Sequence, residues 1–293
     1  MDVQHVTVTD QVGQRLDNFL LSTLRRIPRS RVYSMVRKGE VRVNGGRVRP
    51  HYRLTLGDVV RIPPHRAEAR TPGKPPASAI AAIRASVIFE DDDLIVLNKP
   101  AGLAVHGGSG ISFGVIEALR SDDADTRFEL AHRLDRDTSG CLAIAKNRAT
   151  LVTLHAEFQA GTVKKRYDLV VVGRWPRRLR TVSNRLLRYV LPNGERRVRV
   201  ADDGKAARTD FEVVTGGDRA SWVQAHPHTG RTHQIRVHAA SAGHAIFGDA
   251  KYSRRGDGSA PRLMLHASAL RFANHRFEAP VGETFEAIWR DLS

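Results

Sequence analysis

The stretch FELAHRLDRDTSGCLAIAK, residues 128–146, reads as a short apolar run, a polar loop and a second apolar run. CLAIAK has the length and apolar content of a buried strand, and Phe128–Ala131 is strand-like. A loop pinned at both ends by buried strands presents its side chains rigidly, which is where catalytic groups commonly sit. Between the strands, HRLDRDTSG crowds together His132, Asp135, Asp137, Thr138 and Ser139. In extended backbone, residues two apart share a face, so Asp135 and Asp137 are candidates for paired carboxylates. Two readings stand at this point. The segment is a polar turn closed by local Asx bonding, or a site in which one aspartate reacts while the other turns the backbone with Thr138 and Ser139.

Working outward, strands dominate. VIFE and LIVLNK flank a turn at Asp91–Asp93, and YDLVVVG, FEVVT, WVQAH and LMLHASALRF read as further strands. RATLVTLHAEFQA carries Leu151, Leu154 and Phe158 at helical spacing and stops at Gly161, and RTHQIRVHAASAG reads as a second helix stopping at Gly243. Strands outnumber helices without regular alternation. The expected class is therefore α+β, with a mixed, mainly antiparallel sheet flanked by helices, and not a doubly wound fold.

Upstream lies a different unit. IPPHRAEARTPGKPPAS, residues 62–78, has five prolines and almost no apolar periodicity, as in an extended linker. The expected division is residues 1–62, a linker over 63–82, and a large domain over 83–293. In the first unit Leu16, Phe19, Leu20 and Leu24 fall at helical spacing, as do Val32, Met35 and Val36 after the break at Ile27-Pro28. Gly39 closes the second helix, Asn44-Gly45-Gly46 signals a hairpin, and VVRIP follows the turn at Gly57-Asp58. Arg25, Arg26, Arg29, Arg31, Arg37 and Lys38 lie on or between the two helices, as phosphate contacts or as a solvated face.

Composition points the same way. Lys and Arg number 47 against 31 Asp and Glu, a formal charge of +16, which is the balance of a polyanion binder. The excess sits in two blocks: 12 basic against 5 acidic residues over 1–62, and 14 against 4 over 164–208. Two contact surfaces are implied. No apolar run is long enough for a membrane-spanning helix, and MDVQHVTVTD lacks the order of a signal peptide. The single cysteine, Cys141, excludes an internal disulfide and suits a reducing compartment, so a cytoplasmic location is expected.

Other chemistries fit less well. A hydrolase triad of Ser139, His132 and Asp137 is too local in sequence to align, and no Gly-x-Ser-x-Gly elbow exists. His226, His228, His233 and His238 raise a metal site without the HExxH spacing, and no metal is expected. Gly107, Gly108, Gly110 and Gly114 match neither phosphate-loop pattern. Tyr167, after three cations and at the start of a strand, reads as an ordinary half-buried tyrosine.

GQRLDNFLLSTL, SRVYSMVRKGEVRVNGGRV and LTLGDVVRI, within residues 14–62, resemble an S4-type RNA-binding domain. LNKPAGLAVHGG, HRLDRDTSG, KKRYDLVVVG, HTGRTHQIRVHAASAGHAIFGDAKY and LMLHASAL, in that order, resemble the RluA-type pseudouridine synthases. The resemblance implies an isomerase without cofactor that detaches uracil from ribose, turns it and rejoins it through C5. It implies Asp135 as the catalytic aspartate, ionised beside an arginine for which Arg231 is the expected match. Tyr167 would stack on the base and take the C5 proton, and Ile235 would floor the pocket. Arg133 would fill the space left by a uridine flipped out of its helix. Asp137 would organise the loop. Arg29, Arg31, Arg37 and Lys38 would contact RNA in the S4-type domain. The implied partner is large-subunit rRNA, with DNA and membrane not expected and the chain acting as a monomer. Two departures from the family pattern are Asp168 and the serine of KYS, Ser253. A non-catalytic RNA-binding or assembly factor, or a synthase acting on other rRNA or tRNA uridines, are the alternatives.

Overall fold

The computed structural model describes residues 3–24, 27, 29–65, 75–108, 111–254 and 256–293. The chain forms two compact units, Met1–Pro72 and Gly73–Ser293. Arg25, Arg26, Pro28, Gly110 and residues 66–74 of the expected linker lie outside the described residues.

The first unit runs β1 (Gln4–Thr7), α1 (Leu16–Thr23), α2 (Arg29–Arg37), β2 (Arg42–Val43) and β3 (Val59–Ile62). The apolar spacing read from the sequence becomes its core. Leu16, Phe19 and Leu20 of α1 and Val32, Met35 and Val36 of α2 are buried against Val60 and Ile62 of β3. Both central residues of the Asn44-Gly45 turn have positive φ, 49° and 79°, as a tight hairpin turn requires. The sheet has order β1-β3-β2 and is antiparallel, so the sequence-based helix, helix, sheet order omitted its first strand.

The second unit continues with α3 (Ala77–Ala85), β4 (Val87–Glu90), β5 (Leu94–Lys99), α4 (Val115–Asp122), β6 (Glu129–Leu130), β7 (Ser139–Ala145), α5 (Arg148–Ala160) and β8 (Lys164–Val172). It ends with β9 (Thr181–Val190), β10 (Arg196–Val200), β11 (Lys205–Gly216), β12 (Ala220–Pro227), α6 (Gln234–Ser241), β13 (Leu265–Phe272), β14 (His275–Glu278) and α7 (Glu283–Leu292). Helix α3 corrects the linker expectation over 63–82. Alanine-rich sequence with Ile80 and Ile83, three residues apart and so on one face, makes a helix once Ile83 is buried against Ile95 and Leu97.

One sheet of order β10-β9-β11-β12-β8-β13-β7-β5-β4, with β14 on β13 and β6 on β7, organises this unit. Its pairings are antiparallel except β7 with β13. The α+β class with a mixed, mainly antiparallel sheet follows. All seven residues of β7 are buried, which makes the strand leaving HRLDRDTSG a fixed base. Among the described residues no helix is long and apolar enough to cross a membrane.

Candidate active site

The HRLDRDTSG loop joins β6 to β7. Its turn is closed by the Thr138 amide donating to the Asp135 carbonyl at 3.2 Å. Beneath it Lys99 is fully buried, and its ammonium donates to the carbonyls of Pro100, Leu103 and Arg136 at 2.8–3.1 Å. Burial pulls this lysine down to about 7, opposed by Asp137 and Asp135. At the loop's far end the Ser139 hydroxyl sits 2.8 Å from His266 Nδ1 and accepts from Arg262. Among the described residues Asp137 ion-pairs with its neighbour Arg136 alone, at 3.0 Å, so Lys99 and Ser139 hold the loop in place of Asp137.

Asp135 faces a cavity of about 310 Å³, at the lower end of the range for small-molecule sites. Arg133, Tyr167, Arg231, His233, Ile235 and Arg236 also line it. Tyr167 comes from β8 and Ile235 is buried in the first turn of α6, so the sheet and one helix present the wall opposite a strand-anchored loop. Burial, and then the charge on Asp135, push the Tyr167 phenol above its ordinary value. The neutral phenol is a flat apolar surface at pH 7 and a weak base. Arg133 is exposed.

The arginine expectation is corrected. Arg231 is exposed in the loop before α6, and its Nε donates to the Ala206 carbonyl at 3.1 Å. The arginine beside Asp135 is Arg236, whose Nη1 lies 3.4 Å from Asp135 Oδ2. It also grips the buried Asp249 with two bonds of 2.7 and 2.8 Å. Arg236 lies one residue past Ile235 in the helix and three before the fully buried Ala239, so it shares that residue's inward face. Burial disfavours its charge, and the Asp249 bonds outweigh that.

The remaining candidates disperse. Ser139 meets His266, whereas His132 Nε2 accepts the Ala143 amide at 2.9 Å, and burial pulls His132 down to about 4. The triad residues therefore do not align. His228 faces Asp210, His233 faces Tyr252 and Asp135, and His238 faces Thr209. The Gly107 and Gly114 amides are both taken by the Glu117 carboxylate. Asp168, the departure in β8, accepts from Trp222 Nε1 at 2.7 Å and Gln224 Nε2 at 3.2 Å. In the first unit Arg37 and Lys38 are exposed, Arg31 is paired with Glu40 at 2.9 Å, and Arg29 opens α2.

Residues 93–241 match the family described as RNA pseudouridylate synthase, and residues 14–60 match the S4 domain. The chain is 48% identical over 296 residues to the ribosomal large subunit pseudouridine synthase C of Yersinia pestis, covering 95% of this chain and 92% of that one. It is 46% identical over 306 residues to the protein of the same name from Haemophilus influenzae, covering 99% and 95%.

The chain belongs to the RNA pseudouridylate synthase family.

The solved structure of human RNA pseudouridylate synthase domain containing 4 shares the fold, with a TM-score of 0.61 at 22% identity over 73% of this chain and 95% of that one. For a pseudouridylate synthase, the sequence reading missed Arg236, Asp249, His233 and Gln234 as parts of the site. The Gly248-Asp249 pair in FGDAKY was the available signal, because a buried aspartate requires a cationic partner.

Proposed function

We propose that this chain converts uridines of large-subunit rRNA to pseudouridine, in the cytoplasm and as a monomer, with Asp135 as the catalytic group. The observation that carries this reading is the Asp135 carboxylate, 24% exposed at the cavity and 3.4 Å from the buried Arg236, with Tyr167 and Ile235 on the wall. A uridine reaching it must leave its helix. Arg133, exposed on the cavity rim, fills the vacated space, which offsets part of the few kcal/mol that flipping costs. Ile235 and Tyr167 take the base between them, the tyrosine by stacking.

The reaction breaks the bond from ribose C1′ to uracil N1, turns the ring, and forms the bond from C1′ to C5. The C5 proton leaves and N1 gains a proton, so atoms balance without redox change. An ionised carboxylate serves as nucleophile or as acceptor of the ribose 2′ proton. Tyr167, kept neutral, contributes as a platform first and as a proton acceptor only after losing its own proton.

The test is tritium release from large-subunit rRNA labelled at uridine C5. Wild type is expected to release tritium, and Asp135→Asn to release none above background while still binding the RNA. Release by Asp135→Asn at the wild-type rate overturns the assignment.

A further inference from the structure

Asp135 has a second neighbour besides Arg236. His233 Nε2 lies 3.7 Å from Asp135 Oδ2, the same oxygen that Arg236 approaches. Among the described residues no side chain bonds Oδ1. His233 precedes α6 with φ 53°, in the left-handed region, where a residue of this size stays only if its surroundings hold it. The neighbouring Gln234 supplies the hold. Its Oε1 accepts from Thr229 Oγ1 at 2.7 Å and the Arg231 amide at 3.0 Å, and its Nε2 donates to the Arg208 carbonyl and Thr209 Oγ1. The loop ahead of α6 is thereby clamped to β11, and the imidazole is set into the cavity wall.

On its other side the imidazole meets Tyr252. The hydroxyl is 2.6 Å from His233 Nδ1, and the rings pack edge to face at 5.6 Å. The same hydroxyl oxygen accepts the Val198 amide at 3.0 Å, so its proton points to Nδ1. Nδ1 is then the acceptor, and the imidazole proton resides on Nε2, facing Asp135. At 3.7 Å this is longer than a hydrogen bond, and contacts of this kind tighten when substrate seats.

We propose, on the reading that Asp135 is catalytic, that His233 is a positioning residue: with Arg236 it holds Oδ2 and leaves Oδ1 to face the substrate. Tyr252 supports it by fixing which nitrogen carries the proton. The role requires a neutral ring, and burial lowers His233 below its ordinary range, with Asp135 opposing and Arg236 and Lys251 assisting.

Two variants of the full chain test this. His233→Asn keeps a residue that tolerates left-handed backbone but lacks the reach, and Tyr252→Phe keeps the ring beneath Arg236 and loses the hydroxyl. With tritiated large-subunit rRNA, the rate at saturating RNA is expected to fall roughly ten- to a hundred-fold in His233→Asn and severalfold in Tyr252→Phe, as for a misplaced reacting group. The half-saturating RNA concentration stays within about two-fold in both, because neither residue is assigned to grip RNA. In ¹⁵N-histidine spectra at neutral pH, wild-type His233 shows the neutral Nε2–H form, and Tyr252→Phe loses that preference. If His233→Asn fails to fold, Tyr252→Phe decides. Wild-type rates in the variants, a defect confined to half-saturation, or a charged His233 at neutral pH overturns the inference. An active Asp135→Asn overturns the catalytic reading itself, whereas an inactive Asp135→Asn beside a fully active His233→Asn removes only the role of His233.

Discussion

At the scale of single residues, the site turns on which arginine of TGRTHQIR meets the carboxylate. Arg231 and Arg236 are five positions apart and chemically alike, so the motif alone did not rank them. Backbone decides it: Arg231 precedes the helix and reaches a strand carbonyl, while Arg236 is on the inward face of α6, between two aspartates. The two make different predictions. Arg236→Lys replaces a planar fork with a point charge, so Asp249 keeps at most one of its two bonds and Asp135 loses its partner. The rate at saturating RNA is expected to fall about a hundred-fold or more, as when a preorganised donor is removed, with about 2 kcal/mol lost in urea unfolding. Arg231→Ala is expected to cost under about 1 kcal/mol and to act on RNA affinity more than on rate. Equal rate losses in the two variants would return the role to Arg231. Asp135, Tyr167 and Ile235 were legible by contrast, since they converge on one cavity from three segments that the motifs quoted intact.

At the scale of elements, what the sequence disclosed follows the strength of its periodicity. RATLVTLHAEFQA forms α5 over the same residues and ends at Gly161 with φ 72°, because leucine spacing and a left-handed cap agree. Strands β9 and β10 were visible only as a block of charge. One face of each is solvent, and on the other face of β9 Asn184 separates the buried Val182 and Leu186 and Arg188 follows them, so the apolar alternation is broken. Helices α4 and α7 escaped because each buries only part of its surface, over two or three turns. The loop's far anchor is the β7–β13 pairing, where Gly140 faces Ala267 with φ 109°. A methyl group there would fall onto the Ala267 backbone, whose amide nitrogen is only 2.6 Å away. Gly140→Ala must push the two strands apart as well as strain its own φ, an expected cost of about 3 kcal/mol or more, with activity lost because Asp135 moves with the strand. Gly194→Ala, at φ 82° with open space around it, is expected to cost only about 1 kcal/mol. Thermal or urea unfolding of both variants checks the pair, and similar losses would show that strain alone, not strand contact, governs Gly140.

At the scale of the whole molecule, the excess positive charge sits in two places. Arg37 and Lys38 of the first unit and Arg185 and Arg188 of β9 in the second are exposed and, among the described residues, carry no ion pair. Such cations either contact phosphates or sit on solvated faces, and salt dependence separates the two. Each phosphate contact to RNA contributes about 0.7 to 0.9 to the slope of log affinity against log salt. Replacing Arg37 and Lys38 by alanine is expected to lower the magnitude of that slope by about 1.5, and replacing Arg185 and Arg188 by a similar amount. If one RNA is held by both units at once, the four-residue variant lowers it by about 3, since contacts far apart on one ligand add. Fluorescence anisotropy with an rRNA fragment at several salt concentrations reads this directly. A pair whose removal leaves the slope unchanged marks a solvated face, and a combined effect no larger than the greater single one means that the two units do not hold the same RNA. Additivity would connect the sequence-level excess of +16 to a division of labour, in which the S4 unit adds affinity while the synthase unit turns the base.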